Sequence, residues 1–197
     1  MNSLADFLLN NMQPLPLPAK LSNGAAMAIA LAVPLLGGFG GSLVTAPEIT
    51  SWYQRINKPW WTPPGWLFGP VWTALYASMG WASYRVYKAL GPADAGRALS
   101  VYALQLLLNF CWTPAFFKFH ELGAATLVVS LMWLAILGTI AVFSSVLGPA
   151  SAWSLLGPYL AWTTYAGALT AWIWAHNPPA SVGVGGGRAA AAAKRQA

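Results

Sequence analysis

The sequence predicts an all-α integral membrane protein built as a bundle of five transmembrane helices. Of its 197 residues, 57% are hydrophobic and only 7% are charged, whereas soluble domains carry about 25% charged residues. Five apolar stretches also reach roughly the 20 residues that a helix needs to cross a bilayer. Because no long polar linker separates these stretches, we expect a single helical domain.

The chain divides into three parts. Residues 1–21 form an N-terminal extension in which closely spaced prolines prevent a continuous helix, so we expect it to be flexible or surface-lying. Residues 22–177 form the five-helix transmembrane domain. Its spans are predicted at approximately 22–45, 65–88, 97–118, 121–146 and 150–175. Residues 178–197 are rich in Gly and Ala and are predicted to be a flexible tail.

The charges favour a membrane over nucleic acid as the partner. The ten Lys and Arg that give the formal charge of +6 lie between the apolar stretches and at the C-terminus, where anionic lipid headgroups would attract them. Their distribution, six on one side and four on the other, favours a cytosolic C-terminus. A lone Cys111 excludes an intramolecular disulfide, and its distance in sequence from His120 and His176 predicts no metal site.

Conventional catalysis is not expected. No span has an Asp, Glu or Arg in its middle, so a proton relay or an ion pathway is not indicated. The chain also contains no paired carboxylates and no nucleophile with a supporting base. We therefore predict no catalytic residue.

The loop between the first two spans is rich in tryptophan and proline. Five of the twelve tryptophans fall within residues 52–72. Consecutive prolines keep this backbone extended and stiff. Two interpretations stay open: an interfacial aromatic belt, which tryptophan commonly supplies, or an aromatic lid over a hydrophobic cavity.

Three spans place aromatic and amide side chains on one face. In the third span Gln105, Asn109, Trp112 and Phe116 share a face, which should point into the bundle because unsatisfied amides in hydrocarbon are costly. The amides could equally serve as contacts between helices. The fifth span repeats the spacing with Tyr159, Trp162, Ala166 and Leu169, and the second with Trp72, Tyr76 and Ser83. A small residue such as Ala166 could admit a flat ligand or a neighbouring helix.

The first span contains the GxxxG pair Gly37 and Gly41, which allows helix backbones to approach closely. We interpret it as a packing element, within the bundle or between subunits. It specifies no ligand.

The ordered set of motifs resembles the translocator protein family. The matching residues run from Gly37-Gly38-Phe39 through Trp52-Tyr53, Lys58-Pro59, Trp61, Pro63-Pro64, Pro70-Val71-Trp72, Leu75-Tyr76, Met79-Gly80 and Ser83-Tyr84 to Gln105, Asn109, Trp112, Pro114, Phe116-Phe117, Pro158-Tyr159-Leu160-Ala161-Trp162 and Asn177. The resemblance covers approximately residues 34–177. It implies a five-helix bundle, often dimeric, with one pocket beneath the first loop.

The resemblance also implies ligands and site residues. The family binds porphyrins, heme precursors and synthetic benzodiazepine-type compounds, with sterol recognised at the fifth helix in animal members. The positions of this chain that match family pocket positions are Ser42, Thr45, Trp52, Trp60, Trp66, Phe68, Gly69, Val71, Trp72, Asn109, Trp112, Leu131, Trp162, Ala166 and Leu169. The segment Leu169 to His176 has neither the Tyr nor the base of the animal sterol motif, and Ala124 replaces a pocket tryptophan.

These features predict a multi-pass membrane receptor or carrier for porphyrins, with sterols or benzodiazepine-type compounds as further candidates. Membrane lipid, the porphyrin or sterol itself and a second copy in a homodimer are the expected partners, with no nucleic acid and no required cofactor. The alternatives are a light- or redox-dependent enzyme that degrades porphyrin, and a membrane scaffold. For a eukaryotic chain, the mitochondrial outer membrane or the endoplasmic reticulum and secretory membranes are the expected locations.

Overall fold

The computed structural model describes residues 3–18 and 21–178. In these residues the chain is all-α and contains no strand. The six α-helices described are α1 (Leu4–Asn11), α2 (Asn23–Thr50), α3 (Trp52–Arg55), α4 (Phe68–Thr113), α5 (Leu122–Leu147) and α6 (Pro149–His176). A 3-10 turn (Gly65–Leu67) precedes α4, and a π-helical turn (Pro114–Lys118) follows it. The predicted flexible tail lies outside the described residues from position 179 onward.

Helix α4 folds back on itself at Gly91. Its backbone there is not helical, with φ 76° and ψ 168°, a conformation that glycine adopts without steric cost. Pro92 begins the second arm. The first residue of a helix does not use its backbone N–H in an intrahelical hydrogen bond, so the N–H that proline lacks is not needed there. The arms lie side by side, since the Tyr76 hydroxyl in the first reaches Asn109 in the second. The predicted second and third spans left a break over residues 88–97. In the structure this break is confined to the surroundings of Gly91.

Three segments of the described residues are long and apolar enough to cross a membrane: Asn23–Thr50, Gly65–Lys118 and Leu122–Leu147. The second has 54 residues, and a straight helix of that length would measure about 81 Å, far more than the roughly 30 Å of a hydrocarbon core. Because the chain reverses direction at Gly91, the segment forms two shorter helical arms instead of one long rod. Helix α6 is not among the three segments, so the predicted count of five spans is not confirmed.

Helix α4 is the centre of the bundle, and α2 packs against it through small residues. A Cβ added to Gly80 would lie 2.6 Å from the backbone oxygen of Ala30, and one added to Gly38 would lie 2.1 Å from the Tyr76 ring. Larger residues at these positions would push the helices apart. Helix α5 packs against both α4 and α6.

The N-terminal extension, predicted to be flexible or surface-lying, is docked on the bundle. Helix α1 packs against α5. Beyond it the backbone N–H of Leu15 donates to the Gly96 carbonyl at 3.2 Å, and the Ser100 hydroxyl donates to the Gln13 carbonyl at 2.6 Å. The prolines prevent a continuous helix but leave the carbonyl of Gln13 and the N–H of Leu15 free to bond α4.

Candidate ligand-binding site

A cavity of about 490 Å³ lies between α2 and the two arms of α4. Its volume falls within the 300 to 1,000 Å³ that is typical of small-molecule sites. Most of its lining is apolar or aromatic, with a few hydroxyl groups. The lining residues are Leu35, Gly38, Phe39, Gly41, Ser42, Thr45, Ala46, Ile49, Gly65, Phe68, Gly69, Trp72, Thr73, Tyr76, Trp112, Thr113 and Phe117.

A buried hydrogen-bonded network supports the inner side of this cavity. The Tyr76 hydroxyl donates to the side-chain oxygen of Asn109 at 2.7 Å, and the Asn109 amide nitrogen donates to the Tyr159 hydroxyl at 3.0 Å. All three residues are buried, and burying an amide is costly unless it is hydrogen-bonded. The network links both arms of α4 to α6. The Gln105 amide, predicted on the same face, has no hydrogen-bond partner among the described residues.

Trp72 is the centre of the aromatic wall. Its ring stacks on Tyr76 with centroids 5.5 Å apart and lies 6.4 Å from the Trp112 ring. Tyr159 and Trp162 meet it edge to face at 6.1 and 6.5 Å. Such contacts each contribute about 0.5 to 1.5 kcal/mol beyond area burial. The wall is therefore well ordered before any ligand binds.

Two indoles near the cavity keep an unused donor. The Nε1–H groups of Trp112 and Trp162 are buried and make no hydrogen bond within the described residues. Trp112 lines the cavity itself. An unsatisfied buried donor is costly, but both nitrogens are closed off from water-sized groups, so a ligand acceptor would reach them only after a side-chain movement.

The predicted α6 residues lie behind the main cavity. Trp162, Ala166 and Leu169 line a separate cleft of about 20 Å³, which has room for about one water molecule. Phe68, Trp112 and Phe117 line both spaces. A ligand in the main cavity would reach the α6 residues only if these aromatic side chains moved.

The other predicted site residues are distributed as follows. Ser42, Thr45, Phe68, Gly69, Trp72 and Trp112 line the main cavity, and Asn109 lies in the network beneath it. Trp60 and Trp66 are 95% and 71% exposed on the first loop, Trp52 is buried beside His120, Val71 packs on the core, and Leu131 is exposed on α5.

The tryptophan-rich loop is fastened to α6. The Asn57 backbone N–H donates to the Asn177 side-chain oxygen at 2.8 Å, and the Asn177 amide nitrogen donates back to the Asn57 carbonyl at 3.0 Å. The Tyr165 hydroxyl also donates to the Trp61 carbonyl at 2.7 Å. Burial lowers the pKa of Lys58, whose ammonium donates to the Ile56 carbonyl. The loop is thus held at the end of the bundle where α6 terminates.

A side-chain hydrogen bond joins α2 to the turn after α4. The imidazole Nε2 of His120 lies 3.2 Å from a Glu48 carboxylate oxygen, and the His120 ring stacks on Trp52 with centroids 4.0 Å apart. His120 has a φ of 56°, a conformation that residues with a side chain rarely adopt. The pair fixes the end of α2 beside the cavity residue Ile49.

Several lining residues were not predicted as site residues. Gly38 and Phe117 were recognised only as residues of the family motifs, Gly41 as a packing residue, and Tyr76 as a motif and stripe residue. Thr73 carried no signal of its own. Two lining residues, Ile49 and Tyr76, could have been predicted from helical spacing. Ile49 shares a helical face with Ser42 and Thr45, and Tyr76 shares one with Trp72.

Comparison with known proteins identifies the relatives of this fold. A model of the TspO/MBR family matches residues 30–175. The chain is 40% identical over 147 residues to the translocator protein of Bos taurus, covering 74% of this chain and 86% of that protein. It is 40% identical over 154 residues to the human translocator protein, covering 77% and 89%. The tryptophan-rich sensory protein of Cereibacter sphaeroides is 41% identical over 128 residues, covering 64% and 75%.

Proposed function

Because the chain belongs to the TspO/MBR family, we propose that it is a membrane receptor or carrier that binds porphyrins, the precursors of heme, between α2 and α4. The observation that carries the proposal is the 490 Å³ cavity walled by Trp72 and Trp112. Flat aromatic ligands gain from stacking and burial on such a wall. Sterols and benzodiazepine-type compounds are secondary candidates, and no cofactor is required for binding.

The polar groups of the site suit the edge of a tetrapyrrole. The Nε1–H of Trp112 is buried and unpaired, so it would donate to a propionate oxygen only after a side-chain movement exposed it. The hydroxyls of Ser42 and Thr45 lie on the facing wall. Phe39 and Ser42 are exposed, so a ligand longer than the cavity could extend past α2. Asn109 would act through Tyr76 by fixing the wall on which the ring stacks.

The membrane arrangement is part of the proposal. Helices α2, the two arms of α4, α5 and α6 would give five spans, with α6 as the span that hydropathy alone does not select. Lipid and a second copy of the chain are the expected partners. The proposed location is the mitochondrial outer membrane or, alternatively, the endoplasmic reticulum and secretory membranes. Localisation of the full-length chain by fractionation decides between them.

Tryptophan fluorescence titrated with protoporphyrin tests the binding site. We expect saturable quenching, with Trp72→Phe weakening the apparent affinity about tenfold because the largest stacking surface is reduced. Trp153→Phe is the matched control, since Trp153 is 49% exposed and lines no part of the cavity. Non-saturable quenching, or equal affinity in the two variants, would overturn the site assignment.

Light-driven degradation of porphyrin is the second candidate function. The observation that favours it is the contact of Trp72 with four other oxidisable rings, those of Tyr76, Trp112, Tyr159 and Trp162. Illuminated protoporphyrin in air, with and without protein, separates the two functions. A pigment product that requires the protein and is lost in Trp72→Phe supports degradation, whereas a pure carrier gives none.

A further inference from the structure

One face of α5 changes from exposed to buried toward the end of the helix. Five residues share this face, spaced by four, three, four and four: Leu127, Leu131, Leu134, Gly138 and Val142. The three leucines are exposed, as expected of side chains that meet lipid, whereas Gly138 and Val142 are buried. Another part of the chain therefore covers the lipid side of α5 near its C-terminus.

Helix α1 covers this part of the face. It packs against α5, and a Cβ added to Gly138 would lie 3.0 Å from the side chain of Leu8 and 3.8 Å from that of Val101. Leu8 thus lies in a notch between α5 and the second arm of α4. Helix α1 occupies a place on the side of the bundle where lipid would otherwise continue along α5.

The contact with Gly138 indicates the depth of α1. The 26 residues of α5 measure about 39 Å, roughly 9 Å more than the hydrocarbon core. Gly138, nine residues before Leu147, lies about 9 Å inside the hydrocarbon when this excess is shared equally between the two ends. Interfacial helices bury their apolar side to roughly 5 to 10 Å. This depth suits a helix that lies in the membrane interface.

The segment after α1 leads back toward the end of the bundle. Ser100 donates to the Gln13 carbonyl, and the Leu15 N–H donates to the Gly96 carbonyl. Along the second arm of α4, Gly96 is closer than Ser100 to the reversal of the helix. The chain therefore rises from Gln13 to Leu15, and α1 lies deeper beside the bundle than Leu15 does.

The surface that α1 turns away from the bundle has an apolar and a polar flank. The side chains that pack on the bundle are Ala5, Leu8, Leu9 and Met12. Leu4 and Phe7, 54% and 60% exposed, form the apolar flank. Ser3, Asp6 and Asn10 are exposed on the other flank. A helix lying in the plane of the membrane can bury the first flank among acyl chains and keep the second at the headgroups.

We infer that α1 is an interfacial helix that binds the bilayer, with Leu4 and Phe7 among the acyl chains and Asp6 and Asn10 at the headgroups. A carboxylate or an amide would be costly in hydrocarbon without a partner. Helix α1 contains no Lys or Arg, so the contact does not depend on anionic lipid. It adds a membrane contact ahead of the region that matches the family, which begins at residue 30.

Collisional quenching in phosphatidylcholine nanodiscs tests the inference. A fluorophore is attached to the full-length chain at Leu4→Cys, Phe7→Cys or Asn10→Cys, each in a Cys111→Ser background. A nitroxide on the lipid acyl chain should quench the probes at positions 4 and 7 about threefold more strongly than the probe at position 10, because acyl chains surround the first two. Iodide in the water should give the opposite order.

Two reference positions calibrate the quenching. Leu127→Cys, on the exposed face of α5, reports lipid, and Asp94→Cys, beside the reversal of α4, reports water. Iodide quenching at positions 4 and 7 as strong as at Asp94→Cys would place α1 in water and overturn the inference. Protection of both positions from both quenchers would assign the apolar flank to a second copy of the chain and would overturn it as well.

A matched pair of charged variants tests the orientation independently. Phe7→Asp should speed hydrogen exchange over residues 4–12 about tenfold in nanodiscs, because a carboxylate does not remain among acyl chains. Asn10→Asp introduces the same side chain on the polar flank and should change exchange less than about twofold. Equal effects of the two substitutions would contradict the orientation. Protoporphyrin affinity should stay unchanged in both variants, since α1 lines no part of the main cavity.

Discussion

The Tyr76 hydroxyl donates a 2.7 Å hydrogen bond to the side-chain oxygen of Asn109, across the two arms of α4. Trp72, the centre of the aromatic wall, stacks directly on this tyrosine. Asn109 in turn donates to Tyr159 on α6. A single buried amide therefore positions the surface on which the proposed ligand stacks, although it does not line the cavity.

Removing this amide should destabilise the protein more than removing one hydroxyl. We expect Tyr76→Phe to cost about 1 kcal/mol, the usual net value of one hydrogen bond, and Asn109→Ala about 2 to 4 kcal/mol, because it leaves two buried hydroxyls unpaired and a cavity. Thermal unfolding in detergent measures both. Trp174→Phe, at a side chain 52% exposed, serves as the control, and an Asn109→Ala variant as stable as this control would refute the network's role.

Filling the main cavity should block the ligand without disturbing the fold. A Cβ at Gly69 meets nothing within 4 Å, and Gly69 lines the cavity. We expect Gly69→Leu to weaken protoporphyrin binding more than tenfold by occupying that space. Gly40→Leu is the matched control, because a Cβ at Gly40 also meets nothing within 4 Å and Gly40 lies outside the lining. Titration of both variants gives the comparison, and equal losses would contradict the cavity assignment.

The clasp between Asn57 and Asn177 should control the mobility of the first loop. Asn177→Ala removes the two hydrogen bonds that join these residues. We expect faster hydrogen exchange over residues 56–64, with a loss of stability of about 1 to 3 kcal/mol. Asn10→Ala, at an exposed position of α1, provides the comparison. If exchange in the loop stays at the wild-type rate, the clasp does not hold it.

Acid should loosen helix α1. Hydrogen bonds from the Ser3 side chain and backbone lower the pKa of Asp6 below its ordinary value of 3.8. Because the folded pKa is depressed, the stabilisation is present above pH 3.8 and is lost as the pH falls through the folded pKa. A fluorophore on Leu4→Cys, in a Cys111→Ser background, should therefore gain mobility only as the pH falls through the folded pKa of Asp6. In Asp6→Asn the pH-dependent step should disappear, and its persistence would assign the change to another group.

The helical class, the membrane character and the family follow from the amino-acid sequence alone. These properties depend on apolar composition, on the length of apolar stretches and on motif order, which are local or additive along the chain. The helical faces of Trp72 with Tyr76 and of Asn109 with Trp112 were also readable, because 3.6-residue periodicity fixes which side chains share a side.

Which of those faces meet around one cavity depends on the packing of the whole bundle. Trp162, Ala166 and Leu169 share a face as predicted, yet three aromatic side chains separate them from the main cavity. Ser83, on the same predicted line as Trp72, instead lines a different cavity, between the N-terminal extension, α2 and α4. The packing of residues 3–18 on the bundle could not be predicted from the sequence either. Periodicity gives the direction of a side chain from its own helix, whereas a cavity depends on how closely the neighbouring elements pack, and that is set by distant contacts.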